Sequence, residues 1–412
     1  MQRSVHNDNQ NRFERDSLTW QVYLFVGFFS FLMNVLGPLT PFLRAELNIT
    51  YTQAGLHFSA FATGMILMGL LGDRFVRLMG SRQVLWTGAL GMGVGTLVLM
   101  IGHRLPVTVG AAWLMGTLGS LMVSVVPALL AGRHGDNLSI ALTEANVTGA
   151  LAGMAAPAAV GALGRTALGW RSSLLLPVAF LALMLLVFRR DVRLAPERQA
   201  AAGEGGAAAA PEQNSGRLPR VFWAFWALVL MVVAIECCMS YWGADYLEQA
   251  AGLKRADAAL SMTLFLGAMA LGRILGSGLV RLRPARELIV YSLALCALGF
   301  GLFWATALPV LALAGLLLIG LGVANLYPLV VSLAIRAAGE QTASASARCT
   351  LASGFAVLVL PLLRGGLADW TGIRRAYAVV PVIILLAFIL LQNAVRRAEE
   401  QAAAPAGSMM NG

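Results

Sequence analysis

The stretch "GLLGDRFVRLMGSR", residues 69–82, lies between two long apolar segments. It combines one aspartate and three arginines with three glycines. Small residues let helices approach each other closely in a membrane, and an aspartate there can pair with an arginine or with a helix N-terminus. We therefore expect a compact charged loop between two membrane helices. Its predicted functional residues are Gly69, Asp73, Arg74, Gly80 and Arg82.

The composition of the chain is that of an integral membrane protein. Of its 412 residues, 58% are hydrophobic and 12% are charged, whereas soluble domains carry about 25% charged residues. The net charge of +10 could suit a nucleic-acid-binding protein, but basic residues in a membrane protein usually report its orientation. We expect the lipid bilayer, and no nucleic acid, as the partner of most of the surface.

Twelve apolar segments reach the length of about 20 residues that a membrane span requires. The predicted spans are 20–43, 52–72, 83–102, 107–131, 138–163, 171–188, 220–245, 256–280, 287–306, 309–333, 341–364 and 374–393. The polar stretch 189–219 has no apolar period and is predicted to be a flexible linker. The predicted domains are an N-terminal segment 1–19, a six-helix bundle 20–188, the linker 189–219, a second six-helix bundle 220–394 and a tail 395–412.

The basic residues predict the orientation of these spans. With the N-terminus inside, nineteen basic residues fall in inner segments and eight in outer segments. Inner loops of membrane proteins are enriched in Lys and Arg. We therefore expect both termini and the linker in the cytoplasm, and a bacterial-type inner membrane as the location.

The two halves of the chain align without gaps at an offset of 204 residues. At this offset "FVRLMGSRQVL" (75–85) falls on "LVRLRPARELI" (279–289). The same offset aligns Pro157 with Pro361 and Gly161 with Gly365. Parallel repeats of six helices are found in many secondary transporters, which bind their solute between the halves near mid-membrane. The sequence thus predicts two pseudo-symmetric bundles with a central site.

The motif Gly69-Leu-Leu-Gly-Asp73-Arg74, followed by Gly80-Ser-Arg82, resembles the loop signature of the major facilitator superfamily, with a short insertion before Gly80. The resemblance covers nearly the whole chain. It implies a transporter, not an enzyme, that moves a small solute by alternating access. In that setting Asp73 would latch the cytoplasmic side shut in one state, whereas Ser277 replaces it in the second repeat. The alternative is a positively charged turn that only fixes topology.

Ionisable side chains in mid-membrane cost about 2.5–3.5 kcal/mol on insertion scales and are candidates for function. Glu236 lies midway along the seventh span and is the first candidate for proton coupling. Glu144 and Arg348 occupy equivalent positions in the repeat, and Glu144 is the second candidate for proton coupling. We expect these two to form an ion pair at the inner mouth or to flank the solute. The alternative for each residue is a purely structural contact.

The remaining candidates for the cavity are polar or aromatic residues within the spans. Asn34 precedes Gly37-Pro38, where the first helix is expected to bend and to free backbone groups. Tyr241 and Trp242 could stack on a sugar ring or a flat solute, or simply pack. The predicted cavity residues are Asn34, Asn146, Tyr241, Trp242, Asn325, Tyr327 and Arg348. Two further arginines near helix ends, Arg273 and Arg364, are expected to extend toward the headgroups.

Glu236-(x)5-Trp242-(x)3-Tyr246 and the stretch 320–369 resemble the branch of the superfamily that includes fucose–proton symporters. The chain departs from that branch because its first helix lacks a carboxylate and its fourth lacks a glutamate. This resemblance implies proton-coupled movement of a sugar. We expect the solute to be a sugar or an organic acid, and the protein to be a monomer.

Three other functions remain open at this stage. Proton-coupled drug efflux is loosely supported by the series Gly149, Gly153, Pro157 and Gly161, but the fourth-helix arginine of such antiporters is missing. Anion exchange would use Arg348 to receive a carboxylate. A receptor on the same fold is the third. The sequence shows no metal-ligand spacing and no phosphate-binding loop, so we expect no metal, no cofactor and no ATP drive.

Overall fold

The computed structural model describes residues 13–188 and 218–403, and within these ranges the chain is helical without a strand. The predicted linker, apart from its last two residues, and the outer parts of both terminal segments lie outside the described residues. We number the membrane-crossing helices α1 to α12. The first six are α1 (Ser17–Leu47), α2 (Tyr51–Met79), α3 (Ser81–Ile101), α4 (Leu105–Ser124, continued by Val126–His134), α5 (Leu138–Gly164) and α6 (Leu175–Val187).

The second half repeats this arrangement. Its helices are α7 (Arg220–Gln249), α8 (Arg255–Leu279), α9 (Ala285–Ala305), α10 (Pro309–Val323, continued by Leu326–Ala337), α11 (Thr342–Thr371) and α12 (Val379–Ala403). Length and hydropathy alone identify 11 helical stretches that could cross a membrane, because α4 and α5 form one stretch of 60 residues. A straight helix of that length would measure about 90 Å, three times the hydrocarbon thickness. The stretch instead folds back at a 3-10 turn, Gly135–Asn137, which accounts for the twelve predicted spans.

The charged stretch 69–82 is largely helical, and the prediction of a loop there was wrong in this respect. Helix α2 continues to Met79, because the residues after Asp73 include no helix breaker before Gly80. Gly80 has φ = +83°, a conformation that glycine adopts readily, and α3 begins directly after it. The motif therefore occupies the last turns of α2, the single connecting residue Gly80, and the start of α3.

Close helix packing joins the two halves at one end, which we call the closed end. A Cβ atom added at Gly161 of α5 would lie 2.7 Å from the backbone oxygen of Ala256 in α8. A Cβ atom added at Gly365 of α11 would lie 2.7 Å from the backbone oxygen of Tyr51 in α2. Gly161 and Gly365 are related by the offset of 204. The internal repeat thus appears as two equivalent contacts, α5 with α8 and α11 with α2.

Gly161→Val is expected to prevent this close contact. The added atoms would overlap the backbone of α8, and overpacking of this kind costs about 1–3 kcal/mol. The closed end should open in a larger fraction of molecules, measured as faster reaction of a cysteine at Ser240 with an impermeant thiol reagent added at that end. Gly110→Val is the matched control, because no atom lies within 4 Å of a Cβ there. Equal reaction rates for wild type and Gly161→Val would show that the contact does not keep this end shut.

Candidate functional site

A cavity of about 860 Å³ lies between the halves, adjacent to the closed end. Helices α1, α5, α7, α8, α10 and α11 all contribute to its wall. It extends from Pro38, near the closed end, to Asn146 and Arg273, whose side chains are exposed. We call the side toward which Asn146 and Arg273 lie the open end. The cavity is therefore placed where the repeat predicted a central site, with access from one side.

Five of the predicted site residues line this cavity. They are Asn34, Asn146, Glu236, Tyr241 and Tyr327. Tyr241 stacks on Phe58 with the ring centroids 4.2 Å apart, so a neighbouring ring already covers one of its faces. Four methionines also belong to the lining: Met33, Met154, Met262 and Met269.

Glu236 and Arg273 are the charged residues of this lining. Glu236 is half-buried, and its carboxylate has no hydrogen bond or ion pair to another residue in 13–188 or 218–403. Arg273 is near enough for its charge to act on that carboxylate. Its guanidinium likewise has no bonded partner among the described residues. Arg273 was predicted to extend toward the headgroups; the structure places it on the cavity wall, where it is exposed.

The structure does not bring Glu144 and Arg348 together. Glu144 accepts a hydrogen bond from Nε of Arg15 at 2.8 Å and another from Tyr23 at 3.1 Å. Arg348 is exposed, and its guanidinium lies 5.3 Å from the ring centroid of Trp223. Arg15 belongs to the segment before α1, whose contacts could not be inferred from spacing. Neither member of the expected pair is among the cavity-lining residues.

Trp242 and Asn325 also lie away from the cavity wall. Trp242 is 1% exposed and packs beside Tyr51 and Phe58. The amide of Asn325 donates to the backbone oxygen of Gly272 at 2.7 Å and ties α10 to α8. Both side chains therefore occupy packing positions in this conformation.

A buried ion pair connects the halves at the closed end. Nη1 of Arg44 in α1 lies 2.8 Å from Oδ1 of Asp245 in α7. The side chain of Asp245 is fully buried and that of Arg44 is 18% exposed. The guanidinium of Arg44 also lies 3.3 Å from the ring centroid of Tyr51 in α2. This cluster, formed by Arg44, Tyr51 and Asp245, is here called the closed-end cluster.

Arg364 lies beside this cluster and is 4% exposed. Its guanidinium lies 3.6 Å from the ring centroid of Tyr377 and 5.6 Å from that of Trp242. None of its three nitrogens has a hydrogen-bond partner among the described residues. The expectation that it would extend to the headgroups was wrong, because α11 continues to Thr371 and aromatic rings cover the side chain.

Two exposed polar contacts surround the closed-end cluster. Arg165 pairs with Asp257 across α5 and α8. Asp369 of α11 accepts hydrogen bonds from the backbone N–H groups of Tyr51 and Thr52, at 2.7 and 2.9 Å. A carboxylate at this position complements the positive N-terminal end of α2. Arg165 and Asp369 are related by the offset of 204, so the repeat supplies both contacts.

The charged motif lies at the open end. Asp73 and Arg74 are exposed, and Asp73 has no ion pair to a described residue. Gly69 has no atom within 4 Å of an added Cβ, and Arg82 is half-buried at the start of α3. In this conformation Asp73 therefore forms no ion pair between the two halves among the described residues.

Among the described residues no group of three or more His, Cys, Asp or Glu side chains could hold a metal ion. Sequence reasoning did not place Arg44 and Asp245 in a contact between the halves, Arg273 on the cavity wall, or Arg364 beside the closed-end cluster. The signal that could have found the first two is their place in the aligned repeat stretches 41–56 and 245–260.

Comparison with known proteins agrees with this architecture. The sequence profile of the Major Facilitator Superfamily matches residues 22–347 and 244–409. An uncharacterized MFS-type transporter of Yersinia pestis is 26% identical over 369 residues, covering 86% of this chain and 89% of that protein.

Solved structures share the fold at low sequence identity. A bacterial homolog of the human lysosomal transporter Spinster, in an inward-facing and unoccupied conformation, superimposes with a TM-score of 0.74 at 13% identity and covers 93% of this chain and 97% of its own. A D-xylose–proton symporter gives 0.72 at 16% identity, with coverages of 91% and 96%. The nucleoside transporter NupG gives 0.71 at 13% identity, with coverages of 92% and 99%.

Proposed function

The chain belongs to the Major Facilitator Superfamily, and we propose that it moves a small solute, a sugar or an organic acid, together with protons by alternating access. The observation that carries this proposal is the unpaired carboxylate of Glu236 in the central cavity. A carboxylate at this depth is expensive to maintain and is typical of a proton pathway.

The proposed orientation follows from the basic residues at the open end. It places that end in the cytoplasm and the closed-end cluster on the outside of a bacterial inner membrane. The protein is proposed to act as a monomer. The structure then corresponds to an inward-facing state. Opening of the other end would require separation of the Arg44–Asp245 pair and of the helix contacts around Gly161 and Gly365.

Proton coupling is assigned to Glu236 rather than to Glu144. Glu236 faces the cavity without a partner, so a proton that enters the cavity can neutralise it. Glu144 already accepts hydrogen bonds from Arg15 and Tyr23. Protonation of Glu236 would remove a buried charge and make reorientation of the halves less costly.

Asp73→Asn tests the proposed latch at the open end. In the outward-facing state this carboxylate would pair across the halves, and loss of an exposed pair is worth about 1 kcal/mol. We expect net transport to slow about 5-fold, with solute affinity in detergent unchanged. Asp136→Asn, which also removes an exposed carboxylate at this end, should transport normally. A normal transport rate for Asp73→Asn would show that the motif does not act as a latch and would leave the setting of membrane topology as its role.

The proposed function is tested by recording proton movement in proteoliposomes while solutes are added. The panel consists of sugars, organic acids, amino acids and lipophilic cations. Proton entry together with a sugar or an acid would support the proposal. Proton release from acid-loaded vesicles on addition of a lipophilic cation would replace symport by efflux. If no solute in the panel causes proton movement, proton-coupled transport would be overturned, and uniport or a receptor role would remain.

Efflux is the second candidate because of the methionines in the lining. Thioether side chains are flexible and polarisable, so surfaces rich in methionine bind apolar molecules of varied shape. The same proteoliposome experiment separates efflux from uptake.

A further inference from the structure

We infer that the solute is an organic anion with an apolar body, whose acidic group binds Arg273 while its body lies among the four methionines. This inference rests on the proposed function in that it assigns the same cavity to the transported solute. It selects the acid over the sugar, and it places the anion at Arg273 rather than at Arg348.

The charges of the lining support an anion. Glu236 and Arg273 carry opposite charges, yet no ion pair or hydrogen bond joins them within the described structure. When Glu236 carries a proton, the positive charge of Arg273 has no counter-charge on the cavity wall. A guanidinium presents planar donors that match a carboxylate in a bidentate geometry. An anionic solute would therefore complete the charge balance in the protonated state.

The fold itself does not require either charge. At the offset of 204, Arg273 corresponds to Gly69 and Glu236 corresponds to Leu32, which is fully buried. The first bundle thus forms the same helices with an uncharged residue at each position. Topology does not require Arg273 either, since Arg281 and Arg283 already follow at the end of α8.

A second donor lies on the helix next to Arg273. Asn146 of α5 lines the same cavity, is exposed there, and has no hydrogen bond to a described residue. Helices α5 and α8 pack against each other, as shown by the 3.2 Å approach of Met154 to an added Cβ at Gly267. Asn146 and Arg273 are thus an amide donor and a guanidinium donor on two helices that pack against each other, both in the wall of the same cavity.

The rest of the lining fits an apolar body better than a sugar. Met33, Met154, Met262 and Met269 are joined by aliphatic side chains such as Leu266 and Val357. Two of the polar side chains in the wall are already satisfied within their own helices. Asn34 donates to the backbone oxygen of Ser30 at 2.8 Å, and Ser353 donates to that of Cys349 at 3.1 Å.

A sugar would need hydrogen-bond partners around its whole ring, because unpaired buried polar groups are costly. The cavity also has hydroxyl groups in its wall, on Ser30, Ser240, Tyr241 and Tyr327, but it offers its charged donor, Arg273, at the open end. Its volume of about 860 Å³ falls in the range of sites for drug-sized molecules. A solute with one acidic group and an extended apolar body uses both regions.

The test measures binding to the purified full-length protein by the ligand dependence of its thermal unfolding. The probes are 3-phenylpropanoate and octanoate, the alcohol and the amine that match 3-phenylpropanoate, glycolate as an acid without an apolar body, and glucose. We expect the two apolar acids to bind at least about 10-fold more tightly than every other probe. Arg273→Gln should weaken their binding about 10-fold or more, and Arg273→Lys should weaken it less.

Arg281→Gln is the matched control, since Arg281 is an exposed arginine in the turn that follows the same helix and lies outside the cavity lining. This variant should bind the two apolar acids with the affinity of the wild type. Equal affinity for the alcohol, preference for the amine or glucose, absence of binding by both acids, or unchanged binding in Arg273→Gln would each overturn the inference.

Failure of the inference can be separated from failure of the proposed function. Binding of the acids at Arg273 without any proton-coupled movement in vesicles would retain the inference and overturn proton-coupled transport. Proton-coupled movement of a sugar that Arg273→Gln leaves unchanged would do the reverse.

Discussion

Glu236→Gln is expected to abolish accumulation of the solute against its gradient. Glutamine keeps the size and the hydrogen-bonding capacity of a protonated glutamate but cannot release a proton. A pH gradient of one unit can drive about 10-fold accumulation in a one-to-one symporter, and this factor should fall to about one. Exchange of labelled for unlabelled solute should persist, because the neutral form of the cavity can still reorient.

The measurement compares uptake driven by a pH gradient with counterflow in the same proteoliposomes. Glu144→Gln is the informative control, since Glu144 is bonded to Arg15 outside the cavity lining. We expect Glu144→Gln to retain accumulation. Unchanged accumulation in Glu236→Gln would remove Glu236 from the mechanism, and loss of accumulation in Glu144→Gln alone would transfer the role to Glu144.

Asp245→Asn is expected to shift the protein strongly toward the state in which the closed end has opened. Asp245 is fully buried and pairs with Arg44 at 2.8 Å. Removing one member of a buried pair costs about 3–5 kcal/mol, because the other charge stays behind without compensation. This penalty falls on the conformation in which the halves meet at the closed end. The ratio of the two states should therefore change by on the order of 100-fold or more.

The populations can be measured as distance distributions between spin labels at Thr166 and Lys254, on opposite sides of the closed end. Arg165→Gln is the control at the same mouth, because Arg165 and Asp257 are 51% and 39% exposed. Exposed pairs are worth about 1 kcal/mol or less, so its shift should stay below about 5-fold. A distribution in Asp245→Asn that matches wild type would show that the buried pair does not hold this end shut.

The architecture was largely predictable because its determinants are local or periodic. Apolar segments of sufficient length predicted the spans, and the gapless offset predicted two equivalent bundles. The same offset relates Gly161 to Gly365 and Arg165 to Asp369, which form equivalent contacts at the closed end. Glu236 was identified by its depth in α7, and the structure places it on the cavity wall.

The individual partners were not predictable because they depend on which face each helix turns inward. Distance from a helix end suggested that Arg273 and Arg364 would reach the headgroups. Arg273 instead faces the cavity, and Arg364 is enclosed by Tyr377 and Trp242. The partner of Glu144 was missed for a different reason, since Arg15 lies before the first span. Hydropathy shows that a segment is apolar. Predicting side-chain pairs also requires the rotation of each helix about its own axis, which hydropathy does not give.

The conformation also determines which contacts can be seen. The buried Arg44–Asp245 pair is formed at the closed end, while Asp73 at the other end has no ion pair to a described residue. In the proposed mechanism these two observations belong to one state, in which the halves are closed at one end and separated at the other. The proposed mechanism therefore requires that solute reach a single cavity alternately from the two sides of the membrane.

The most direct test of that claim is the accessibility of a cysteine at Ser353, a residue of the cavity lining, in a variant lacking the four native cysteines. An impermeant thiol reagent is applied separately from each side of the membrane. We expect reaction from the cytoplasmic side in the resting protein, and reaction from the outer side when Asp245→Asn is added. Reaction from the cytoplasmic side alone, with or without Asp245→Asn, would contradict alternating access through this cavity.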